Sequence, residues 1–182
     1  MYAFDYKPEA GVAVRLLAAG DATELWTLID RNPDYLSRWQ PGFVPVSLGD
    51  VRSGIATALQ RFADGSGFHA GIWTNGTLAG SVTCNAIDRI NRSADIGYWL
   101  GEDYQGQGLA TLSCRALIHY LFVHLHLNRI EIVTLAGNTR SAAIPLRLGF
   151  RPEGVARQKY WLRDQFSDAL MYSLLAADWQ DL

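Results

Sequence analysis

The hydrophobic positions change period several times along the chain, and each change marks an element. "VAVRLL" (12–17) alternates apolar and other residues and predicts an N-terminal strand. In "ATELWTLIDRN", Ala22, Leu25, Trp26 and Ile29 recur at helical spacing, with Asp21 placed to cap the helix. Residues 32–46 hold three of the six prolines and several large aromatics, which predicts an irregular loop or short helical turns. Ser47 and Asp50 form a capping-box pair at the start of a helix over "LGDVRSGIATALQRFA". A meander follows: "GFHAGIW" and "LAGSVTCNAI" flank Asn75-Gly76, the strongest short hairpin signal, and "ADIGYWLG" is the next strand. "LATLSCRALIHYLFVHLHL" predicts a helix with Leu112, Ala116 and Tyr120 on one stripe. A strand over "NRIEIVTLA" comes next, then a short helix over "RSAAIPLRLG" with Gly149 at C′, and two strands around "LRDQ".

That order predicts an α/β (α+β) fold, a single domain over 1–182 with a mixed sheet covered by helices on both faces. No repeat, low-complexity segment or interdomain linker interrupts it. Composition agrees: 182 residues, 49% hydrophobic and 19% charged, suit one globular domain burying on the order of 70% of its unfolded-chain surface.

Charge and special residues narrow the function. Sixteen Lys and Arg against eighteen Asp and Glu leave a formal net charge of −2, with no basic block for nucleic acid or an anionic membrane. "MYAFDYKPEAG" lacks the basic and apolar regions of a signal peptide, and no apolar run spans a bilayer, so a cytoplasmic protein is expected. Cys84 and Cys114 read as reduced, apolar core residues. His119, His124 and His126, spaced by five and two, do not stack on an α-helical face, so no metal site is expected. There is no G-x-S-x-G elbow for a hydrolase.

The candidate chemistry lies in "IGYWLGEDYQGQGLA" (96–110), a strand, an acidic bend and alternating glycines leading into a helix. A helix N-terminus presents unpaired N–H groups and a partial positive charge, and glycines admit a phosphate without meeting a Cβ. A dinucleotide fingerprint fits poorly, because Thr111 stands at the third glycine position and the unit follows an antiparallel meander. A P-loop would need Gly-Lys-Ser/Thr. On local grounds alone, an anion cradle and an idle glycine connection stand level.

The segment Gln105-Gly106-Gln107-Gly108-Leu109-Ala110 resembles the Q/R-x-x-G-x-G/A motif of the GNAT N-acetyltransferase family. "ADIGYWL" is similar to that family's splayed central strand, and "NRIEIVTLAGNTRSAAIPLRLGF" to its next strand and Asn-initiated helix. "GFRPEGVARQKYWLRDQFSDALMYSLLAADW" resembles the branch that acetylates ribosomal-protein N-termini, and the likeness runs from about 14 to 179. The resemblance implies a mostly antiparallel sheet with a splayed central strand. It implies acetyl-CoA as cosubstrate, its pantetheine along the strand at Tyr98, Trp99 and Leu100, and its pyrophosphate on the N–H groups of Gln105, Gly106, Gln107, Gly108, Leu109 and Ala110. Asp95 stands where relatives carry a glutamate base, one methylene shorter, which suggests a water relay; the alternative is a solvated carboxylate paired with Arg89 or Arg92. Pro145 occupies the place of the family's acid tyrosine. In this branch Asn138 would bind pantetheine and Ser141 would serve the departing sulfur, although Asn138 is equally an ordinary helix cap.

The implied acceptor is a primary amine, above all a protein α-amino group, with Tyr35, Trp39 and Asn85 as candidate acceptor contacts. Acetylation of a small amine and non-catalytic acyl-CoA sensing are the alternatives. A homodimer is expected only from family habit.

Overall fold

Strand by strand, the alternation read from the sequence becomes alternation between two packed faces. The computed structural model describes residues 4–9 and 11–180; residues 1–3, which open the stretch read for a leader, and residues 10, 181 and 182 lie outside the described set. The strands are β1 (Asp5–Glu9), β2 (Val12–Leu16), β3 (Phe68–Thr74), β4 (Thr77–Asp88), β5 (Ser93–Leu100), β6 (Arg129–Leu135), β7 (Arg151–Leu162) and β8 (Gln165–Leu175). The helices are α1 (Ala22–Asp30), α2 (Pro33–Trp39), α3 (Leu48–Asp64), α4 (Leu109–His119) and α5 (Thr139–Arg147). All strands form one sheet in the order β1-β2-β3-β4-β5-β6-β8-β7. Every neighbouring pair is antiparallel except β5 and β6, which α4 connects as a parallel crossover.

Adjacent residues of β3 and β5 point to opposite faces, so Ile72 and Trp73 enter different cores. On one face, Leu25 and Leu28 of α1 and Val51 and Ile55 of α3 pack on Trp73 and Leu78. On the other, Leu109, Cys114 and Leu117 of α4 and Ile144 of α5 pack on Ile72, Val82, Ile96, Ile130 and Ile132. Each fully buried Leu or Ile here contributes roughly 1.5–3 kcal/mol of apolar burial.

The capping box holds: Ser47 Oγ accepts from the Asp50 N–H at 3.2 Å, and the Asp50 carboxylate accepts from the Ser47 N–H at 2.8 Å. Gly149, at φ 85°, follows α5 as read. Four expectations need correction. A strand, β1, precedes the one taken as N-terminal, and its pairing partner is set by the return of β2. The Asp21 carboxylate makes no bond to the first turn of α1; it accepts from Arg15 at 2.8 Å and from the Ala18 N–H at 2.8 Å. The helix over 109–127 ends early, passing into a π-helical turn at Tyr120–His124. The π turn widens the helix around an i→i+5 bond, Leu125 N–H to the Tyr120 carbonyl at 3.2 Å, and the rings of His119 and His124 meet at 5.8 Å. Among the described residues, no group of three or more His, Cys, Asp or Glu side chains could hold a metal ion, and no helix is long and apolar enough to cross a membrane.

Candidate active site

The site arises where β5 and β6 part. Their parallel pairing runs from Ser93↔Arg129 to Ile96↔Ile132 and stops there. β5 then follows its antiparallel partner β4 as far as Leu100↔Gly80, while β6 follows β8 as far as Leu135↔Ala169. The Gly101 N–H bonds to the Ala79 carbonyl at 2.8 Å, which sets the alternation of the β4–β5 ladder. Residues of odd number on β5 therefore turn their peptide groups to β4, and those of Tyr98 and Leu100 face the gap. Trp99 turns its backbone to β4 and packs its partly buried side chain against the core of α1 and α3, while still lining the cleft. Asp95 still lies within the paired region, opposite Glu131, so the free edge begins at Gly97 rather than at Asp95.

Below this gap lies the glycine bend. Gly106 and Gly108 have φ of 75° and 78°, a left-handed backbone that favours glycine, and a Cβ at either would meet nothing within 4 Å. Gly108 is the N-cap of α4, with no side chain bonded across the helix start. An open concavity lined by backbone N–H groups at a helix N-terminus suits an anion. Gln105 reaches across the gap, its Oε1 accepting from Arg140 of α5 at 2.9 Å, while its Nε2 is buried without a partner. Gln107 turns back to the Asp103 carbonyl at 3.3 Å. Leu109 and Ala110 are buried at the start of α4. The unpaired strand edge and the open glycine cradle together fit a long, polar, phosphate-bearing ligand.

At the N-terminus of α5, Asn138 acts as a cap: its Oδ1 accepts from the Ser141 N–H at 3.1 Å. Ser141 Oγ lies 3.1 Å from the Tyr98 hydroxyl, which donates to the Ser141 carbonyl at 2.9 Å. Burial pushes the Tyr98 phenol far above its ordinary pKa. Pro145 is buried on the same helix, leaving no tyrosine there.

The opposite wall is polar at its floor and aromatic at its rim. A bulge in β4 places Asn85 between the Cys84↔Ile96 and Ala86↔Asp95 pairs. Asn85 Nδ2 donates to Asp95 Oδ2 at 3.4 Å, and its Oδ1 accepts from Thr83 at 2.8 Å. Neither arginine considered for Asp95 pairs with it among the described residues: Arg92 bonds the His126 carbonyl, and the Arg89 guanidinium lies against Gly65. Burial raises the Asp95 carboxyl pKa, opposed by the Asn85 hydrogen bond. His69, not singled out in the sequence, stands in register with Thr83, which in turn faces Gly97. Burial lowers its pKa, favouring neutral imidazole. Only strand register brings it to the site, so no local signal could have found it.

Tyr35 and Trp39 of α2 and Tyr160 of β7 complete the rim of a cleft of ≈ 1260 Å³, lined also by Asn85, Tyr98, Gln105, Gly108, Asn138 and Ser141. Burial raises the pKa of Tyr35. Asn32 Oδ1 accepts from the Glu102 N–H at 2.9 Å, tying α2 to the glycine bend.

A splayed parallel pair beside a glycine-lined helix start defines an acyl-CoA-dependent acyltransferase. The sequence model of the acetyltransferase (GNAT) domain matches residues 12–151, more than half of the chain. The chain therefore belongs to the GNAT acetyltransferase family and is an acetyl-CoA-dependent N-acetyltransferase. It is 37% identical over 180 residues to the putative ribosomal N-acetyltransferase YdaF of Bacillus subtilis, covering 97% of this chain and 98% of that one. It is 31% identical over 170 residues to the ribosomal-protein-serine acetyltransferase of Escherichia coli, covering 92% and 94%. The structure of RimL, a ribosomal alpha-N-protein acetyltransferase in complex with coenzyme A, superposes with a TM-score of 0.90 at 26% identity, covering 94% of this chain and 97% of that one.

Proposed function

We propose that this enzyme acetylates the α-amino group of a protein N-terminus, with a ribosomal protein as the acceptor, by direct attack in a ternary complex. The observation that carries this reading is the joining of two walls in one cleft: Tyr35, Trp39 and Asn85 open directly onto the gap between β5 and β6, and ≈ 1260 Å³ leaves room for an acceptor beside acetyl-CoA. Full-length likeness to enzymes named for ribosomal-protein acetylation supports the same class of acceptor.

The free edge at Tyr98 and Leu100 receives the pantetheine as an added strand would, and the glycine bend with the first turn of α4 receives the pyrophosphate. Asn138 both caps α5 and borders the pantetheine. A gap-facing N–H of β5 stabilises the oxyanion formed on attack. Asp95, held by Asn85, takes the ammonium proton through water; its raised pKa makes its carboxylate a better base near neutrality than an exposed aspartate. Ser141 donates a hydrogen bond to the departing sulfur. Tyr35 and Trp39 flank the incoming peptide.

Incubation with acetyl-CoA and a panel of peptides and small amines, followed by release of free thiol, tests the reading. Serine- and alanine-initiated peptides are expected to release thiol well above polyamines and free amino acids. Preference for a small amine would move the acceptor to that class, and acetyl-CoA binding without release from any amine would favour a sensor.

A further inference from the structure

Helix α5 carries Pro145 and no tyrosine of its own, yet a tyrosine hydroxyl reaches it from β5. Tyr98 projects from β5 at the splay and meets the first turn of α5. Its hydroxyl lies 2.9 Å from the Ser141 carbonyl and 3.1 Å from Ser141 Oγ, and both residues line the cleft. The two acceptors lie within reach of one phenolic proton. With that proton on the Ser141 carbonyl, the serine hydroxyl donates to Tyr98 and is turned away from any ligand. With the proton on Ser141 Oγ, the serine hydroxyl is released to donate into the cleft, with little heavy-atom movement.

We propose that Tyr98 is a positioning residue that switches its hydroxyl bond from the Ser141 carbonyl to Ser141 Oγ, aiming the serine proton at the departing sulfur. The inference rests on the acetyl-transfer reading above. As the carbon–sulfur bond breaks, its electron pair stays on sulfur, which leaves as a thiolate hydrogen-bonded by Ser141. Nitrogen bonds the carbonyl carbon as that bond breaks. Asp95 already holds the proton lost by the ammonium before attack, and the second proton, lost by nitrogen on collapse, leaves through water in the cleft to bulk solvent. Tyr98 gives up no proton. The groups around it favour the neutral phenol: Cys114 of α4 and Tyr172 of β8 lie nearby, burial dominates, and the Arg147 guanidinium and the Ser141 bond oppose it only in part. A hydrogen bond received by Oγ polarises the serine O–H and strengthens the bond it makes onward.

The test reads the ionisation of bound coenzyme A itself, which needs no acceptor. The thiol of coenzyme A bound to the full chain is titrated by ultraviolet thiolate absorbance in the wild type, Tyr98→Phe, Ser141→Ala and the double variant. Each single variant is expected to raise the bound thiol's pKa by about half a unit to one unit, a roughly three- to tenfold loss of thiolate at a given pH. The double variant should shift it no further. In turnover of a serine-initiated peptide, Tyr98→Phe should lower kcat while leaving KM for acetyl-CoA within about twofold.

An unchanged thiol pKa in Tyr98→Phe, with coenzyme A still bound, overturns the proposal. So do additive shifts in the double variant, or a loss confined to KM. A shift without peptide turnover leaves this inference standing and sinks only the acceptor assignment. No coenzyme A binding by the wild type sinks both.

Discussion

Replacing Gly108 by alanine separates backbone strain from loss of the anion cradle. Gly108 sits at φ 78°, where an L-residue costs roughly 1–2 kcal/mol. Nothing lies within 4 Å of the added methyl, so no steric clash adds to that figure. Gly76 at the β3–β4 turn is a matched control: its φ is 81°, its surroundings are equally open, and it lies outside the cleft. Without ligand, both Gly108→Ala and Gly76→Ala should lower the melting temperature by about 2–8 °C. With acetyl-CoA they should diverge. At a ligand concentration of ~100 Kd the wild type gains about 2.7 kcal/mol. If the methyl obstructs the phosphate and weakens binding about tenfold, Gly108→Ala gains only ~1.4 kcal/mol at the same concentration. Gly76→Ala should keep the full gain. Thermal unfolding with and without acetyl-CoA reads both numbers. Equal ligand-induced shifts in the two variants would refute the assignment of the bend as the pyrophosphate site.

Three further outcomes are expected. Asp95→Asn should reduce kcat/KM and remove the rise of rate with pH that ionisation of this carboxyl produces. Because its folded pKa is raised above the unfolded value, its charge costs stability as pH climbs through that interval; the same variant should melt higher than wild type at neutral pH and match it in acid. Ser141→Ala should slow thiol release without abolishing it, since a thiol of pKa ~8.5 is already a fair leaving group; complete loss with coenzyme A affinity intact would contradict this. Asp21→Ala should destabilise the fold by about 1 kcal/mol at neutral pH, because the half-buried pair with Arg15 and the bond from the Ala18 N–H are both lost. The Arg15 hydrogen bond depresses the Asp21 pKa, so its stabilisation is present above the unfolded carboxylate pKa and disappears as pH falls through the folded one; denaturant midpoints across that range check the sign.

What the chain's local pattern determined is whatever depends on contacts within a few residues. The Asn75-Gly76 turn, the Ser47–Asp50 capping box, the Gly149 terminus of α5 and the glycine bend before α4 follow from φ preferences and from hydrogen bonds spanning three or four positions. Those features, together with their order, were enough to suggest the family. Tertiary structure decided the rest. β5 and β6 separate because each continues along a different antiparallel partner, β4 or β8, and no residue in "ADIGYWL" encodes that choice by itself. The same long-range pairing frees the peptide groups of Tyr98 and Leu100 while engaging those of Trp99. It also brings His69 into line with Thr83 and Gly97, and bulges Asn85 onto Asp95. Tyr98 and Ser141, 43 residues apart, meet only because a crossover helix returns the chain to the neighbouring strand. A cradle for phosphate can be written in six consecutive residues; a site for chemistry needs side chains from strands whose neighbours are settled by the packing of the whole sheet.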